Sequence, residues 1–219
     1  MLKTFILFAG EDMTVEVQEI HTDTPHMRMI KHAARILGKG GVIVYPTDTI
    51  YGLAADIYNK AAISQLFKIK KVTKHKLMSL IFSDLKSIGD WVHMSTPVFR
   101  VMRRVLPGKY TFILPASKEV PKNVLEKRKT LGIRVPDNEV SRLLVEEFGR
   151  PLLSTSVPTG NGSDNFFTDP DEIAERFKYE IDLILDAGMM PNMPSTVVDF
   201  SVDPPVIIRE GAGDVGALF

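Results

Sequence analysis

The chain contains no cysteine. This absence excludes disulfide bonds, thiol nucleophiles and cysteine-ligated zinc together. Its five histidines show no H-E-x-x-H or other metal-ligand spacing, so they are expected to be surface or core side chains, and no metal site is predicted. The Walker A and Gly-rich dinucleotide fingerprints are missing too. Any nucleotide site must therefore be built from scattered hydroxyls and cations.

Long apolar runs are also missing. None approaches the roughly 20 residues of a membrane span, so no membrane partner is expected. The stretch MLKTFILFAG makes a poor secretory signal, because its apolar core is short and no small-x-small cleavage site follows. We expect a cytoplasmic protein. Residues 1–12 are interpreted as an edge strand or an upstream extension with the natural start at Met13, and residues 13–219 as one α/β domain.

The net charge is zero, but the charges are unevenly distributed. Residues 61–135 hold 16 Lys and Arg against 4 Asp and Glu, and the remainder of the chain is acidic. A local excess of this kind suits a polyphosphate or nucleic-acid partner. The alternative is that the lysines are scattered over solvated helix faces. Both interpretations stay open at this point.

Helix and strand patterns alternate from about residue 25 to the C-terminus. The first helix is predicted to have Thr24 as its N-cap and Pro25 in its first turn. Asp169 and Pro170 open a later helix with a capping box. Further helices are predicted at 60–71, 96–106 and 138–148, and buried strands at 42–46, 77–82, 110–116, 131–136 and 151–156, followed by three final strands. The pattern predicts a twisted mixed sheet flanked by helices.

The stretch VYPTDTIYGLAAD (44–56) is the densest candidate for chemistry. A buried strand ends at Pro46, and Thr47, Asp48 and Thr49 follow in a turn. Gly52 permits a positive φ or the close approach of a ligand. Polar groups at a strand end lie where ligands dock in open α/β sheets. The alternative is an ordinary strand-to-helix turn with capping side chains.

Cations and hydroxyls are concentrated at three further places. Six basic residues occupy positions 68–76, which is more than capping of a helix C-terminus requires and suits binding of a phosphate chain. Ser154, Thr155 and Ser156 end a strand with hydroxyls and amides fit for phosphate oxygens. Arg134 and Arg209 emerge from apolar strands, so each is either paired with a carboxylate or directed at an anionic ligand. The residues alone thus predict an anion-binding α/β domain.

Six ordered motifs, GGVIVYPTDTIYGLAAD, GKYTFIL, LGIRVP, PLLSTS, PSTVVDF and IIREGAGD, resemble the YrdC-like family. The resemblance covers about residues 25–214. This family includes the enzymes that make threonylcarbamoyl-AMP for tRNA modification, and the stretch from Gly108 to Pro136 is similar to its YciO branch. The resemblance implies a twisted α/β fold with an open, concave, basic cleft. It also implies that ATP with Mg²⁺, threonine and bicarbonate meet there, with no tightly bound cofactor.

The resemblance also implies roles for individual residues. Thr47 and Thr49 match positions that contact threonine and nucleotide. Lys70 matches the lysine of the family's K-x-R motif, and Lys70 and Arg209 are the catalytic candidates. Positions around the nucleotide phosphates are matched by Arg134, Ser154, Ser156 and Thr196, to which the hydroxyl of Thr155 is added. An RNA-binding surface, for tRNA or double-stranded RNA, is assigned to Lys68, Lys71 and Lys74.

Two departures from the synthases affect the expected activity. Val72 stands where the K-x-R motif has arginine, and Pro158 stands where S-x-N has asparagine. If both groups act in the transition state, each loss would cost about 2–4 kcal/mol, or two to three decades of rate. We therefore favour a YciO-type protein that binds nucleotide or RNA with diverged catalytic motifs. The alternatives are an active threonylcarbamoyl-AMP synthase, or a related carbamoyl or acyl transfer to a different acceptor.

Overall fold

Ten strands form one mixed sheet in the computed structural model, which describes residues 14–70, 78–125, 129–159 and 165–219. Their spatial order is β1-β8-β2-β3-β7-β4-β6-β5-β9-β10, so most neighbours are not consecutive in the chain. The strands are β1 (Glu16–Glu19), β2 (Ile43–Tyr45), β3 (Gly52–Asp56), β4 (Ser79–Ile81), β5 (Tyr110–Pro115), β6 (Thr130–Arg134), β7 (Leu152–Ser156), β8 (Leu183–Asp186), β9 (Thr196–Asp199) and β10 (Val206–Arg209). Parallel pairs such as β4–β6 and antiparallel pairs such as β3–β7 occur in the same sheet.

Helices pack on both faces of this sheet. They are α1 (Met27–Gly38), α2 (Lys60–Lys70), α3 (Ile88–Trp91), α4 (Thr96–Val105), α5 (Lys122–Leu125), α6 (Glu139–Phe148) and α7 (Pro170–Phe177), with a 3₁₀ turn at Val215–Leu218. None of these helices is long and apolar enough to cross a membrane, among the residues that the structure describes. The predicted fold class, a mixed α/β sheet flanked by helices, is confirmed.

The two faces of the sheet bury two separate apolar clusters, because successive strand residues point to opposite sides. Val44 belongs to the larger cluster with α2, α3, α4, α5 and α7, whereas Ile43 and Tyr45 belong to the smaller one. The helical members of the smaller cluster come from α1 and α6 alone, and none of its described members lies on β5, β6, β9 or β10. Half of this face therefore lies outside the apolar cluster.

One sequence prediction needs correction, one alternative is excluded and one strand was not predicted. Thr24 is not the N-cap of α1: His26 holds that position, and the amide of Thr24 donates to His21 Nδ1 at 3.2 Å. Residues 52–56 form the buried strand β3 rather than leading into a helix, so the turn at 47–51 joins two antiparallel strands. Strand β1 was not predicted, while Asp169 does cap α7 by accepting from the amide of Asp171. The proposed division at residue 12 lies outside the described residues.

Candidate functional site

The turn between β2 and β3 is held together by its own threonines. Thr47 Oγ1 donates to the carbonyl of Ile50 at 2.6 Å and accepts from the amide of Thr49 at 3.1 Å. Both threonines are almost completely buried. Side chains that bond the local backbone in this way set the shape of a turn. The hydrogen bonds of Thr47 therefore set the shape of this turn.

Arg134, at the end of β6, contacts this turn. Its Nη2 donates to Asp48 Oδ1 at 2.5 Å and to Thr49 Oγ1 at 2.6 Å, with Thr47 Oγ1 at 3.3 Å. Between β2 and β6 in the sheet lie β3, β7 and β4. The twist that accumulates over these strands is what allows the two strand ends to meet. Two of the motifs singled out in the sequence thus form one cluster.

The Arg134–Asp48 ion pair is buried, with side chains 10% and 4% exposed. Of the two alternatives predicted for Arg134, a carboxylate partner or an anionic ligand, the structure shows the carboxylate partner. The pairing is incomplete, however: among the described atoms, Arg134 Nε and Asp48 Oδ2 are buried without a hydrogen-bond partner. Each unsatisfied buried polar atom costs about 1–3 kcal/mol. The cluster consequently has one donor and one acceptor to offer.

Tyr45 connects Ser154 to the same region. Its hydroxyl lies 2.9 Å from Ser154 Oγ, and both groups are buried. Burial raises the pKa of Tyr45 to about 12, so this hydroxyl is neutral at physiological pH. A Cβ added at Gly52 would lie 2.7 Å from the Tyr45 ring. Gly52 therefore permits the close approach of Tyr45, rather than of a ligand as the sequence suggested.

A second hydroxyl cluster lies where β5 and β9 begin. Thr111 Oγ1 and Ser195 Oγ are 2.8 Å apart, and Arg209 donates to the carbonyl of Ser195 from Nε at 3.1 Å and from Nη2 at 2.9 Å. A guanidinium that donates to one carbonyl through two nitrogens is fixed in orientation. Arg209 is therefore tied to the main chain at the entry to β9.

Thr196 anchors the loop that contains GAG (211–213). Its Oγ1 donates to the carbonyl of Gly213 and accepts from the amides of Gly211 and Gly213, at 2.6, 2.9 and 3.1 Å. These three bonds use the full capacity of a hydroxyl group. A Cβ at Gly211 would come within 2.2 Å of the carbonyl oxygen of Pro194. The glycines therefore let this loop lie directly on the start of β9.

Two pockets border these clusters. One, of about 420 Å³, is lined on one side by Gly108, Lys109 and Tyr110 and on the other by Ala212, Gly213 and Asp214. The other, of about 590 Å³, includes Thr47 and residues at the start of α6. Asp48 and Asp137 line both. Volumes of this size suit small ligands and nucleotides. Asp48 therefore belongs to the buried cluster and to both pocket walls.

The predicted site residues lie at the Arg134 cluster, at the start of β9, at the end of β7 and at the end of α2. Thr47, Thr49 and Arg134 are in direct contact, and Ser154 lies next to that cluster through Tyr45. Arg209 and Thr196 belong to the β9 side, and Thr155 and Ser156 are half-buried at the end of β7. Lys70 is half-buried at the end of α2, where Lys68 is exposed. Lys71, Lys74 and the departure at Val72 lie outside the described residues. The roles assigned to all of these residues stay predictions.

Pro158 occupies a short bridge after β7. It forms an isolated antiparallel β-bridge with Phe166, and the amide of Phe167 donates to the carbonyl of Val157 at 3.3 Å. Its ring provides no amide or side-chain donor. The structure thus puts a backbone-pairing residue, with no carboxamide, at this position.

Sequence reasoning missed two residues of the site as participants. Asp48 was noted in the turn but not given a role, although it lies between two predicted residues and its own carboxylate pairs with Arg134. Tyr45 was treated as a core residue of β2. Its signal was its place in the strand, since it faces the same side as Ile43 and not Val44.

An open mixed sheet with hydroxyls and arginines at its strand ends defines a class of α/β proteins suited to anionic ligands. Within it, the profile Sua5_yciO_yrdC, described as "Telomere recombination", matches residues 35–211. The chain belongs to this Sua5/YciO/YrdC family. The predicted resemblance is therefore confirmed.

Individual relatives agree. The chain is 43% identical to the protein YciO of Escherichia coli over 197 residues, covering 90% of this chain and 95% of that protein. The crystal structure of E. coli YciO matches with a TM-score of 0.89 at 41% identity, over 94% of this chain and 100% of that one. Similarity to YciO thus spans nearly the whole of both chains.

Threonylcarbamoyl-AMP synthases are related as well. The enzyme of Coxiella burnetii is 37% identical over 135 residues, which cover 60% of this chain and 72% of that protein. The structure of P. abyssi Sua5 complexed with L-threonine matches with a TM-score of 0.81 at 26% identity, over 89% of this chain and 57% of that one. The relationship to the synthases is confirmed, over a shorter stretch than the similarity to YciO.

Proposed function

We propose that this protein is a cytoplasmic YciO-type member of the family that binds ATP with Mg²⁺ in the cleft beside Arg134. Because its catalytic motifs have diverged, the protein would make threonylcarbamoyl-AMP slowly or not at all. The alternative within the same family is an active synthase that joins ATP, threonine and bicarbonate and releases pyrophosphate. Both share one binding site and differ in the rate of the chemical step.

The buried cluster of Arg134, Asp48, Thr47 and Thr49 is the observation that carries this proposal. A guanidinium with little exposure is retained in a protein interior when anions compensate it. Here one carboxylate oxygen does so and a second guanidinium N–H stays unsatisfied. Asp48 also faces both pockets. The cluster therefore combines an unused donor and an unused acceptor at the edge of a ligand-sized space.

Threonine suits the charges of this cluster, since a zwitterion carries a carboxylate to complement Arg134 and an ammonium group to complement Asp48. Thr47 and Thr49 would adjoin the threonine side chain. The structure of P. abyssi Sua5 is a complex with L-threonine, which supports a threonine site within the family.

The nucleotide phosphates would lie towards Ser154, Thr155 and Ser156 on one side and towards Arg209 on the other. Arg209 and Lys70 would stabilise the phosphoryl charge in the transition state. No group of three His, Asp or Glu suited to a metal occurs among residues 14–70, 78–125, 129–159 and 165–219. We propose Mg²⁺ as part of the substrate complex with ATP. Thr196 would act indirectly, because its hydroxyl already holds the 211–213 loop.

Slow synthesis follows from the two departures. Pro158 brings no carboxamide to the end of β7, and Val72 brings no guanidinium after Lys70. Neither donor can be replaced by an apolar side chain. With bicarbonate and threonine present, the predicted turnover is several decades below the order of 1 per second typical of enzymes.

Calorimetry and a turnover assay test the proposal together. ATP with Mg²⁺, and threonine separately, are titrated into the wild type and into Thr49→Val, which removes a hydroxyl from the cluster and keeps its shape. Arg176→Ala, on the solvent side of α7, is the matched control. We expect binding by the wild type and the control and weaker binding by the variant. Pyrophosphate release is followed with threonine and bicarbonate added.

Each outcome has a defined meaning. Absence of ATP binding by the wild type would overturn the proposal. Threonine-dependent pyrophosphate release on the order of 1 per second would replace it with the active synthase. Threonine-independent hydrolysis of ATP would point to a transfer to another acceptor.

RNA binding is the second candidate function, favoured by the basic excess of residues 61–135. The surface assigned from sequence comprises Lys68, Lys71 and Lys74, of which Lys68 is exposed on α2. The expected partner is tRNA or double-stranded RNA, bound mainly through phosphates and hence sensitive to salt. Replacing these lysines with alanine should weaken binding.

A further inference from the structure

The longest stretch without a negative charge in the basic half of the chain runs through helix α4. Residues 91–118 contain no Asp or Glu, whereas they include Arg100, Arg103, Arg104, Lys109 and Lys118. Such a stretch generates a positive potential that internal carboxylates do not cancel. It is separated in the sequence from the lysines at 68–76, and the site described above does not use the arginines of α4.

The arginines of α4 share one exposed face. Arg100 is followed at i+3 and i+4 by Arg103 and Arg104, which places their side chains side by side on a helix. All three are exposed, while Met102 is buried in the core on the opposite side. None of the ion pairs in the described part of the chain includes any of them. Like charges at this spacing repel, so they do not stabilise the helix.

The position of this face is fixed by the C-terminal segment. Arg104 Nε donates to the carbonyl of Ala217 at 3.0 Å. Five residues after Arg104, the exposed Lys109 lines the pocket of about 420 Å³. The positive surface therefore runs from α4 to the edge of this pocket of about 420 Å³.

An exposed aromatic side chain lies within this surface. Phe99 is 38% exposed, next to Arg100 in sequence and one turn before Arg103. Aromatic side chains beside arginines provide stacking surfaces for unpaired bases, and the arginines hold the backbone phosphates. An anionic membrane would use the charges but has no bases to stack on Phe99.

From these observations we propose that the exposed face of α4, consisting of Phe99, Arg100, Arg103 and Arg104 with Lys109 beside it, is the surface that binds RNA with unpaired bases. This inference rests on the RNA part of the proposed function and adds a surface for unpaired bases to the lysines named there. It is independent of ATP binding in the cleft.

Helix α1 offers a matched control on the other face of the sheet. It carries Arg28 and Lys31 at i and i+3, both exposed, and it also contains no Asp or Glu. It packs against α6, which contributes Glu139, Glu146 and Glu147. Its potential is therefore partly cancelled, and charge reversal there changes the net charge by the same amount as on α4.

The experiment compares Arg100→Glu/Arg103→Glu with Arg28→Glu/Lys31→Glu. In the described part of the chain, neither Arg100 nor Arg103 forms an ion pair or a side-chain hydrogen bond. We therefore expect both variant proteins to fold, which far-UV circular dichroism would verify. A fluorescein-labelled RNA stem-loop is titrated with each protein from about 50 to 200 mM salt. For the α4 variant we expect about tenfold weaker binding, and a log–log salt slope reduced in magnitude by about 1.5 to 2 for two lost phosphate contacts. The α1 variant should keep the wild-type slope.

Phe99→Ala adds a second measurement. It should weaken binding of the stem-loop but not of a fully paired duplex, since only unpaired bases stack. Equal weakening by the α1 and α4 variants would overturn the assignment, as would unchanged binding by the α4 variant. Binding of phosphatidylserine vesicles through α4 without RNA binding would overturn it in favour of a membrane partner. If the wild type binds no RNA at low salt, the RNA part of the proposed function fails as well, while ATP titration of the same proteins tests the cleft separately.

Discussion

The face of the sheet that carries α1 and α6 has two halves of opposite character. On β2, β3, β7 and β8 it is apolar, with Ile43, Ala54 and Leu152 packed under the two helices. On β6, β5 and β9 the same face presents Arg134 and Thr111, joined by hydrogen bonds to the turn at 47–49 and to Ser195. Burial of apolar side chains in the first half stabilises the fold. Burial of polar groups in the second half costs part of that stability.

The largest effect is expected from breaking the polar half at its ion pair. Asp48→Ala leaves the guanidinium of Arg134 buried without its carboxylate, and loss of one partner of a buried pair costs about 3–5 kcal/mol. Urea unfolding measures the loss. The double variant Asp48→Ala/Arg134→Met removes both charges and should recover most of the stability while threonine binding stays lost. A double variant no more stable than Asp48→Ala would show that the pair itself stabilises the fold.

A cavity in the apolar half should cost nearly as much and act differently. Leu144 of α6 is fully buried in the smaller cluster, and Leu144→Ala should destabilise the protein by about 2–5 kcal/mol. ATP affinity of the folded protein should stay unchanged, since this residue lines neither of the two pockets described above. A parallel loss of affinity would mean that the two halves are coupled.

Tyr45, which connects the apolar half to Ser154, can be tested by measuring the unfolding free energy as a function of pH. Burial raises the pKa of Tyr45 to about 12, above its value of about 10 in the unfolded chain. A pKa raised by folding contributes stability that is complete below about pH 10 and is lost as pH rises towards about 12, by roughly 2–3 kcal/mol. The difference in unfolding free energy between wild type and Tyr45→Phe should therefore move against the wild type over this interval. Tyr179→Phe, at an exposed residue, is the control for loss of a tyrosine hydroxyl.

The smallest effect is expected at Ser154. Ser154→Ala removes the hydroxyl beside Tyr45 and should lower the unfolding free energy by about 1 kcal/mol. If this hydroxyl also contacts phosphate, ATP affinity should fall in the same variant. Thr155→Ala, at the neighbouring half-buried position, provides the comparison.

Much of this arrangement could be predicted from local patterns. The hydroxyls at 47–49, the buried strands and the cap at Asp169 are readable because each depends on residues near one another in the chain. The contact of Arg134 with Asp48 spans 86 residues and needs the order β2-β3-β7-β4-β6. Sequence patterns do not specify such an order. The error at Thr24 had a local cause, since His21 accepts from its amide.

The bonds from Thr196 to Gly211 and Gly213 have a consequence for synthesis of the protein. The wall of the smaller pocket is supplied by residues 212–214, which leave the ribosome after every strand of the sheet. A nascent chain that already has β2 and β6 therefore still lacks the pocket. This part of the wall forms last, when the loop contacts the start of β9, so a chain that stops just before Gly211 would keep all ten strands and lack residues 212–214 of the pocket.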